Sequence, residues 1–172
     1  KESITLIPEI DKALQIVINC IKDGNKIIVF GNGGSAADAQ HIAAEFVGKF
    51  QKNRSSFPAI ALTTDSSILT SIGNDFSFES IFSRQCEGLA SKDDVVIGIS
   101  TSGNSQNVVN GLITSKKNGC KTIGFLGSDG GKIKDVVDVA VTVNSKSTPR
   151  IQEVHRTIFH IICDLAEQDL TN

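Results

Sequence analysis

The sequence predicts an α/β protein, a three-layer α/β/α sandwich around a five-stranded parallel sheet of the flavodoxin-like or Rossmann-like kind. Two observations carry that prediction. Five short β-rich runs are apolar almost throughout, as strands buried on both faces of a sheet are, and segments with helical periodicity separate them. Alternation of this kind gives parallel strands joined by right-handed crossovers.

From Ser3 to Asp23, apolar residues at Leu6, Ile10, Leu14, Val17 and Ile21 recur at helical steps, with Pro8 near the first turn and Gly24-Asn25 as a stop signal. This helix precedes the first strand and has no βαβ partner, so it is expected to pack against another copy of the chain in an oligomer. The strands follow as "KIIVF" (26–30), "AIAL" (59–62), "DVVIGIS" (94–100), "TIGFL" (122–126) and "VAVTV" (139–143). Helices are expected at 35–49, 66–73 with 78–90, 105–118 and 150–170, with a short turn near 131–136. In the last helix Thr148 can cap, Pro149 suits an early position, and Ile151, Ile158, Ile162 and Leu165 form the expected buried stripe. No repeat or linker divides the chain, so residues 1–172 are expected to form one domain.

Composition narrows the function classes. A chain of 172 residues with 40% hydrophobic and 21% charged residues can bury a full core without staples. A net charge of -2 and no run of like charges speak against nucleic acid as a ligand. No apolar run approaches the roughly 18 residues of a membrane span, and Glu2, Glu9 and Asp11 are unlike a signal peptide, so a cytoplasmic protein is expected. Cys20, Cys86, Cys120 and Cys163 are widely separated within apolar segments and read as buried free thiols.

Ligands of open α/β sheets sit beyond the carboxyl ends of the strands, where helix N-termini offer free N–H groups. Two loops occupy such places. "STSGNS" (100–105) sets the hydroxyls of Ser100, Thr101, Ser102 and Ser105 around Gly103 at a helix start. One hydroxyl there could simply cap the helix, but four in six residues favour a phosphate monoester. "GNGGS" (31–35) admits a dinucleotide reading, since Gly31, Gly33 and Ala36 fit G-x-G-x-x-A. The acidic residue that this pattern expects comes too late, at Asp65, and the glycines can also serve only a tight turn.

All three histidines, His41, His155 and His160, fall on helical segments, and His41 and Glu45 stand one turn apart on one face. Alone that pair would read as a surface ion pair; its place behind a phosphate-type loop favours chemistry. Gln152 and His160 are eight residues apart, about 80° around a helix axis, so both can face one side. Alone they would read as polar residues flanking the stripe.

Taken together, "GNGGSAADAQHIAAEFVGKF", "AIALTTDSSILTSIGNDFSFESIFSRQ", "GISTSGNSQNV", "DGGK" and "RIQEVHRTIFH" resemble the phosphoheptose isomerases (sedoheptulose 7-phosphate isomerases) over nearly the whole chain. These are members of the sugar isomerase (SIS) fold. The resemblance implies aldose-ketose isomerisation of sedoheptulose 7-phosphate through a cis-enediolate, for bacterial surface heptose. It implies Glu45 as the base between C1 and C2, with His160 as its acid-base partner. Asn32, Gly33, Gly34, Ser35, Glu45, Asn74, Asp75, Ser100, Thr101, Ser102, Ser105 and Gln152 would line the sugar phosphate. His41, Glu45, Gln152 and His160 fall on the family's zinc positions, and a homotetramer with sites between subunits is implied.

Three other readings stand beside it. A replication-initiation regulator shares the fold and similar loops but, as the resemblance implies, lacks Glu and His at the positions of Glu45 and His160. A nucleotide-cofactor enzyme is disfavoured by the late acid. A sugar-phosphate-sensing regulatory domain would need the hydroxyl loop without the Glu45 and His160 pair.

Overall fold

Ile27, Ile28, Val29 and Phe30, like the whole of Val95–Ser100, are fully buried, which requires cover on both faces of the sheet that they build. The computed structural model describes residues 5–171. Its order is α1 (Ile7–Lys22), β1 (Ile27–Gly31), α2 (Gly34–Val47), β2 (Ala59–Ala61), α3 (Ser66–Asp75), α4 (Ser83–Leu89), β3 (Val95–Ser100), α5 (Gln106–Lys117), β4 (Lys121–Gly127), β5 (Val139–Val143) and α6 (Thr148–Leu170). Short 3-10 turns at Phe78–Ser80 and Gly131–Asp135 complete it.

The strands form one parallel sheet in the order β2-β1-β3-β4-β5. Side chains alternate across it. Ile27, Val29, Ile97 and Phe125 share a core with α1, α2 and α6, whereas Ile28, Phe30, Val96 and Leu126 meet α4 and α5 on the other face. This is the expected three-layer sandwich. At the amino end, Asp94 accepts hydrogen bonds from the Lys26 main-chain N–H and ammonium and from the Ser91 N–H. That carboxylate fixes where β1 and β3 begin, and hence where their carboxyl ends emerge.

Three expectations are refined. α1 packs on its own chain, with Ala13, Leu14, Val17, Ile18 and Cys20 buried in the core that α6 shares, while Ile7 at its start stays 58% exposed. Counting βαβ units overlooked that an extra helix can lie beside the last helix on the same sheet face. Thr148 is the first residue of α6, while Ser147 stands at the cap without a side-chain bond. Leu165 is 41% exposed, and Ala166, one helical step of 100° away, takes the buried place instead.

Element ends move by a few residues, and the stretch expected as a helix over 78–90 is a 3-10 turn followed by the shorter α4. All four cysteines are free and buried, and burial pushes their thiols up to about 11 for Cys20, Cys86 and Cys120 and about 12 for Cys163. They are inert as nucleophiles. Among the described residues no helix is long and apolar enough to cross a membrane.

Candidate active site

The strand order reverses direction at β1 and β3, so the crevice between their carboxyl ends is the topological switch point at which such sheets take ligands. Both loops singled out in the sequence lie there. After β1 the chain turns through Gly31 to Gly33 and enters α2. A Cβ at Gly31 would stand 2.8 Å from the Ser35 Cβ and 2.9 Å from the Ile99 carbonyl oxygen, so only glycine lets this turn press against β3. A cavity of about 440 Å³ opens beside the turn, lined by Asn32, Gly33, Thr63, Leu69, Phe78 and Phe82 among others. That volume suits a small ligand.

After β3 the hydroxyls gather instead of capping. The Ser100 Oγ lies 3.1 Å from the Ser105 Oγ and 3.4 Å from the Ser102 Oγ, and Ser105, at the cap of α5, makes no capping bond with its side chain. The Asn104 N–H donates to the Ser102 Oγ at 3.2 Å, which fixes that hydroxyl within the cluster. Gly103, at φ 66°, packs so closely on Gly130 that a Cβ would come 2.1 Å from its carbonyl oxygen. The "DGGK" turn braces the loop from behind, since the N–H groups of Lys132 and Ile133 donate to the Asn104 Oδ1 and the Gly103 oxygen.

The two loops are tied together by a residue that sequence reasoning missed. Asn107, buried in the first turn of α5, exchanges two amide hydrogen bonds of 2.9 Å with Asn32. Its only sequence signal is a carboxamide on the helix face that also carries Val108 and Leu112. The Asn32 amide is thus already engaged, so toward a ligand this turn presents chiefly main-chain N–H groups.

α2 and α6 meet beside the crevice and bring three donors together. The His41 Nε2 lies 2.8 Å from the Glu45 Oε1, the His41 and His160 rings are 5.1 Å apart, and ligand atoms of His41, Glu45 and His160 all fall within 4.8 Å of one another. Burial, and then His41, lower the pKa of His160 against a smaller opposing effect of Glu45. A neutral imidazole can accept a proton or a cation. Two imidazoles and a carboxylate suit a divalent metal ion. Since both helices belong to one chain, the separation of residues 41 and 160 in sequence is no sign of a site shared between subunits.

Gln152 lies elsewhere on the seam. A Cβ at Gly34 would stand 2.3 Å from its Nε2, so the amide covers the glycine turn, two helical turns before His160. Ser35 is buried at the start of α2. Asn74 and Asp75 are exposed at the end of α3 and hydrogen-bonded to each other at 2.8 Å; of that segment it is Gly73 that lines the cavity.

A buried pair supports the donor cluster from below, and nothing in the sequence points to it. Arg54 donates to the main-chain oxygens of Glu45 at 2.8 Å and Phe46 at 2.9 Å, closing the carboxyl end of α2, and its Nε donates to Glu167 at 2.8 Å. Glu167 also accepts from the N–H groups of Phe50, Gln51 and Lys52. "QKNRSSF" (51–57), which reads as a polar loop, is in fact pinned to α6. Its neighbour Phe50 stands 5.5 Å from the His160 ring.

Comparison with known proteins agrees with this geometry. The family model of the SIS domain matches residues 3–127. A phosphoheptose isomerase of Geobacter sulfurreducens is 58% identical over 156 residues, which cover 91% of this chain and 82% of that protein. The chain belongs to the phosphoheptose isomerase family. Another family member, from Nitratiruptor sp., is 61% identical over 153 residues, 89% of this chain and 82% of its own. The solved phosphoheptose isomerase GmhA from Neisseria gonorrhoeae superposes with a TM-score of 0.92 at 40% identity, covering 97% of this chain and 89% of that one. Membership of this family removes the dinucleotide reading of "GNGGS": the glycines serve a tight turn at the head of the helix that carries His41 and Glu45.

Proposed function

We propose that the protein interconverts sedoheptulose 7-phosphate and D-glycero-D-manno-heptose 7-phosphate, the step that supplies heptose for bacterial surface polysaccharide. The observation that carries this reading is the Glu45 carboxylate beside His160, in one chain with a hydroxyl-lined loop at the neighbouring strand end.

Ser100, Thr101, Ser102 and Ser105 hold the phosphate at the N-terminus of α5, where free N–H groups and the helix dipole favour a dianion. Asn32, Gly33, Gly34, Ser35, Asn74, Asp75 and Gln152 hold the sugar. In the open-chain ketose Glu45 removes a proton from C1; the electron pair forms the C1–C2 double bond, and the carbonyl oxygen on C2 takes up a proton. Glu45 then returns its proton to C2 while the C1 hydroxyl loses its own and becomes the aldehyde. His160 moves the oxygen-bound protons, and the anchored phosphate holds the carbons in place.

A zinc ion would be held by His41, Glu45 and His160, with Gln152 as a fourth donor if its amide swings from Gly34 toward the cluster. When bound it would supply Lewis acidity toward the substrate oxygens. The residues form a single SIS domain that works in the cytoplasm as a homotetramer.

Incubation with sedoheptulose 7-phosphate, with and without zinc, should yield the aldose phosphate; no conversion under either condition would return the protein to the binding modules. Gly103→Ala should lower kcat/KM by roughly 10²-fold, because the strained and displaced loop no longer holds the phosphate. An unchanged kcat/KM would remove that loop from substrate binding.

A further inference from the structure

The three donors come from two helices, and something must hold those helices in register. α2 and α6 run alongside each other in matched steps: Gly34 faces Gln152, Asp38 faces Arg156, and His41 faces His160. Most of the seam is apolar, with Ile42, Phe46, Ile158, Phe159 and Ile162 in one core cluster. Such contacts are non-directional and tolerate small slides. Arg54 bridges the far end of the seam, from the Glu45 and Phe46 carbonyls to Glu167, but among the described residues the only direct hydrogen bonds and ion pair between the two helices are those of Arg156 with Asp38. The Arg156 Nη2 lies 2.7 Å and its Nε 3.3 Å from the Asp38 Oδ1.

The pair is unequally placed. Asp38 is 1% exposed, whereas the Arg156 side chain is 54% exposed. The other Asp38 oxygen, Oδ2, is buried with no hydrogen-bond partner, so among the described residues Arg156 is the one side chain that hydrogen-bonds this carboxylate. Asp38 stands one turn before His41 on α2, and Arg156 one turn before His160 on α6. A slide of one residue along a helix is 1.5 Å. That is enough to spoil a constellation that must be held to about 0.5 Å.

We propose that Asp38 and Arg156 are positioning residues: their ion pair locks the register of α2 against α6 and so preassembles His41, Glu45 and His160 as one ligand set. The proposal rests on the reading of that cluster as the metal and proton-transfer site. Neither residue belongs to the donor cluster or lines the cavity; both act through the helices that carry the donors.

The test uses the full chain and its Arg156→Ala, Arg156→Lys and Asp38→Asn variants. Cobalt(II) binding is followed by its visible absorption, and thermal unfolding, kcat and KM are measured alongside. Arg156→Ala should weaken cobalt binding about tenfold, as loss of an outer support of metal ligands does. It should lower kcat about as much and leave KM within about twofold, because the phosphate loop belongs to β3 and α5. Arg156→Lys should recover most of the cobalt affinity, and Asp38→Asn should follow Arg156→Ala. A fall in melting temperature with cobalt affinity and kcat unchanged would reduce the pair to a structural ion pair and overturn the proposal. So would a wild type that binds no cobalt. A wild type that binds cobalt but converts no sugar defeats the proposed activity alone, and the cobalt data then decide on the pair.

Discussion

Glu45→Gln is expected to slow isomerisation by about 10²- to 10⁴-fold while the protein folds as before. Glutamine keeps the length of the side chain and can still hydrogen-bond His41, whose Nε2 lies 2.8 Å from the carboxylate. It cannot take a proton from carbon. The anchoring of the phosphate is untouched, so KM should move far less than kcat. A carboxylate held on a cation would be a weaker base, so as base Glu45 would have to be free of any metal that the cluster holds. Rate assays together with zinc analysis decide the matter, since a variant with full zinc content and full rate would show that Glu45 is not the base.

Glu167→Ala should destabilise the fold by about 3–5 kcal/mol at neutral pH, because it strands a buried guanidinium and three main-chain N–H groups. The side chains of Arg54 and Glu167 are 5% and 2% exposed, so water offers little replacement. Burial alone would raise the pKa of Glu167, but the N–H groups of Lys52, Gln51 and Phe50 and the Arg54 guanidinium outweigh it and hold the value at about 2 against an ordinary 4.5. A carboxylate whose pKa falls on folding contributes stability that is complete above its unfolded value and fades below it. Wild type should therefore lose this contribution as pH drops from 4.5 to about 2. The variant has none to lose, so the gap between their urea midpoints should close over that interval. A gap independent of pH would mean that the carboxylate charge is not what stabilises the loop.

The strands and most helices were legible because each depends on its own residues. Near-continuous apolar runs such as "DVVIGIS" have no stable place except a sheet covered on both faces, and β3 is buried at every position. The hydroxyl loop was legible for a related reason: Ser100, Ser102 and Ser105 lie within six residues, so local chain geometry alone brings them together. His41 and Glu45 met because a helix places residues four apart on one face.

Arg54, Asp38, Asn107 and Glu167 were not legible. Each draws its role from a partner far along the chain: Arg54 from Glu167, Asp38 from Arg156, Asn107 from Asn32. In sequence they are ordinary polar residues. α1 illustrates the same limit, since its apolar face was evident but the identity of the surface that covers it was not.

By itself the sequence determined the alternation of strand and helix, the two loops and the pairing of His41 with Glu45, because periodicity and short-range geometry act over a few residues. Only the tertiary structure decided that His160 joins them within one chain, that α1 rests on α6, and that Arg54 and Arg156 tie the donor helices down. Those contacts depend on how separate elements dock, and a buried carboxylate or guanidinium declares its partner only when burial leaves it no water to turn to.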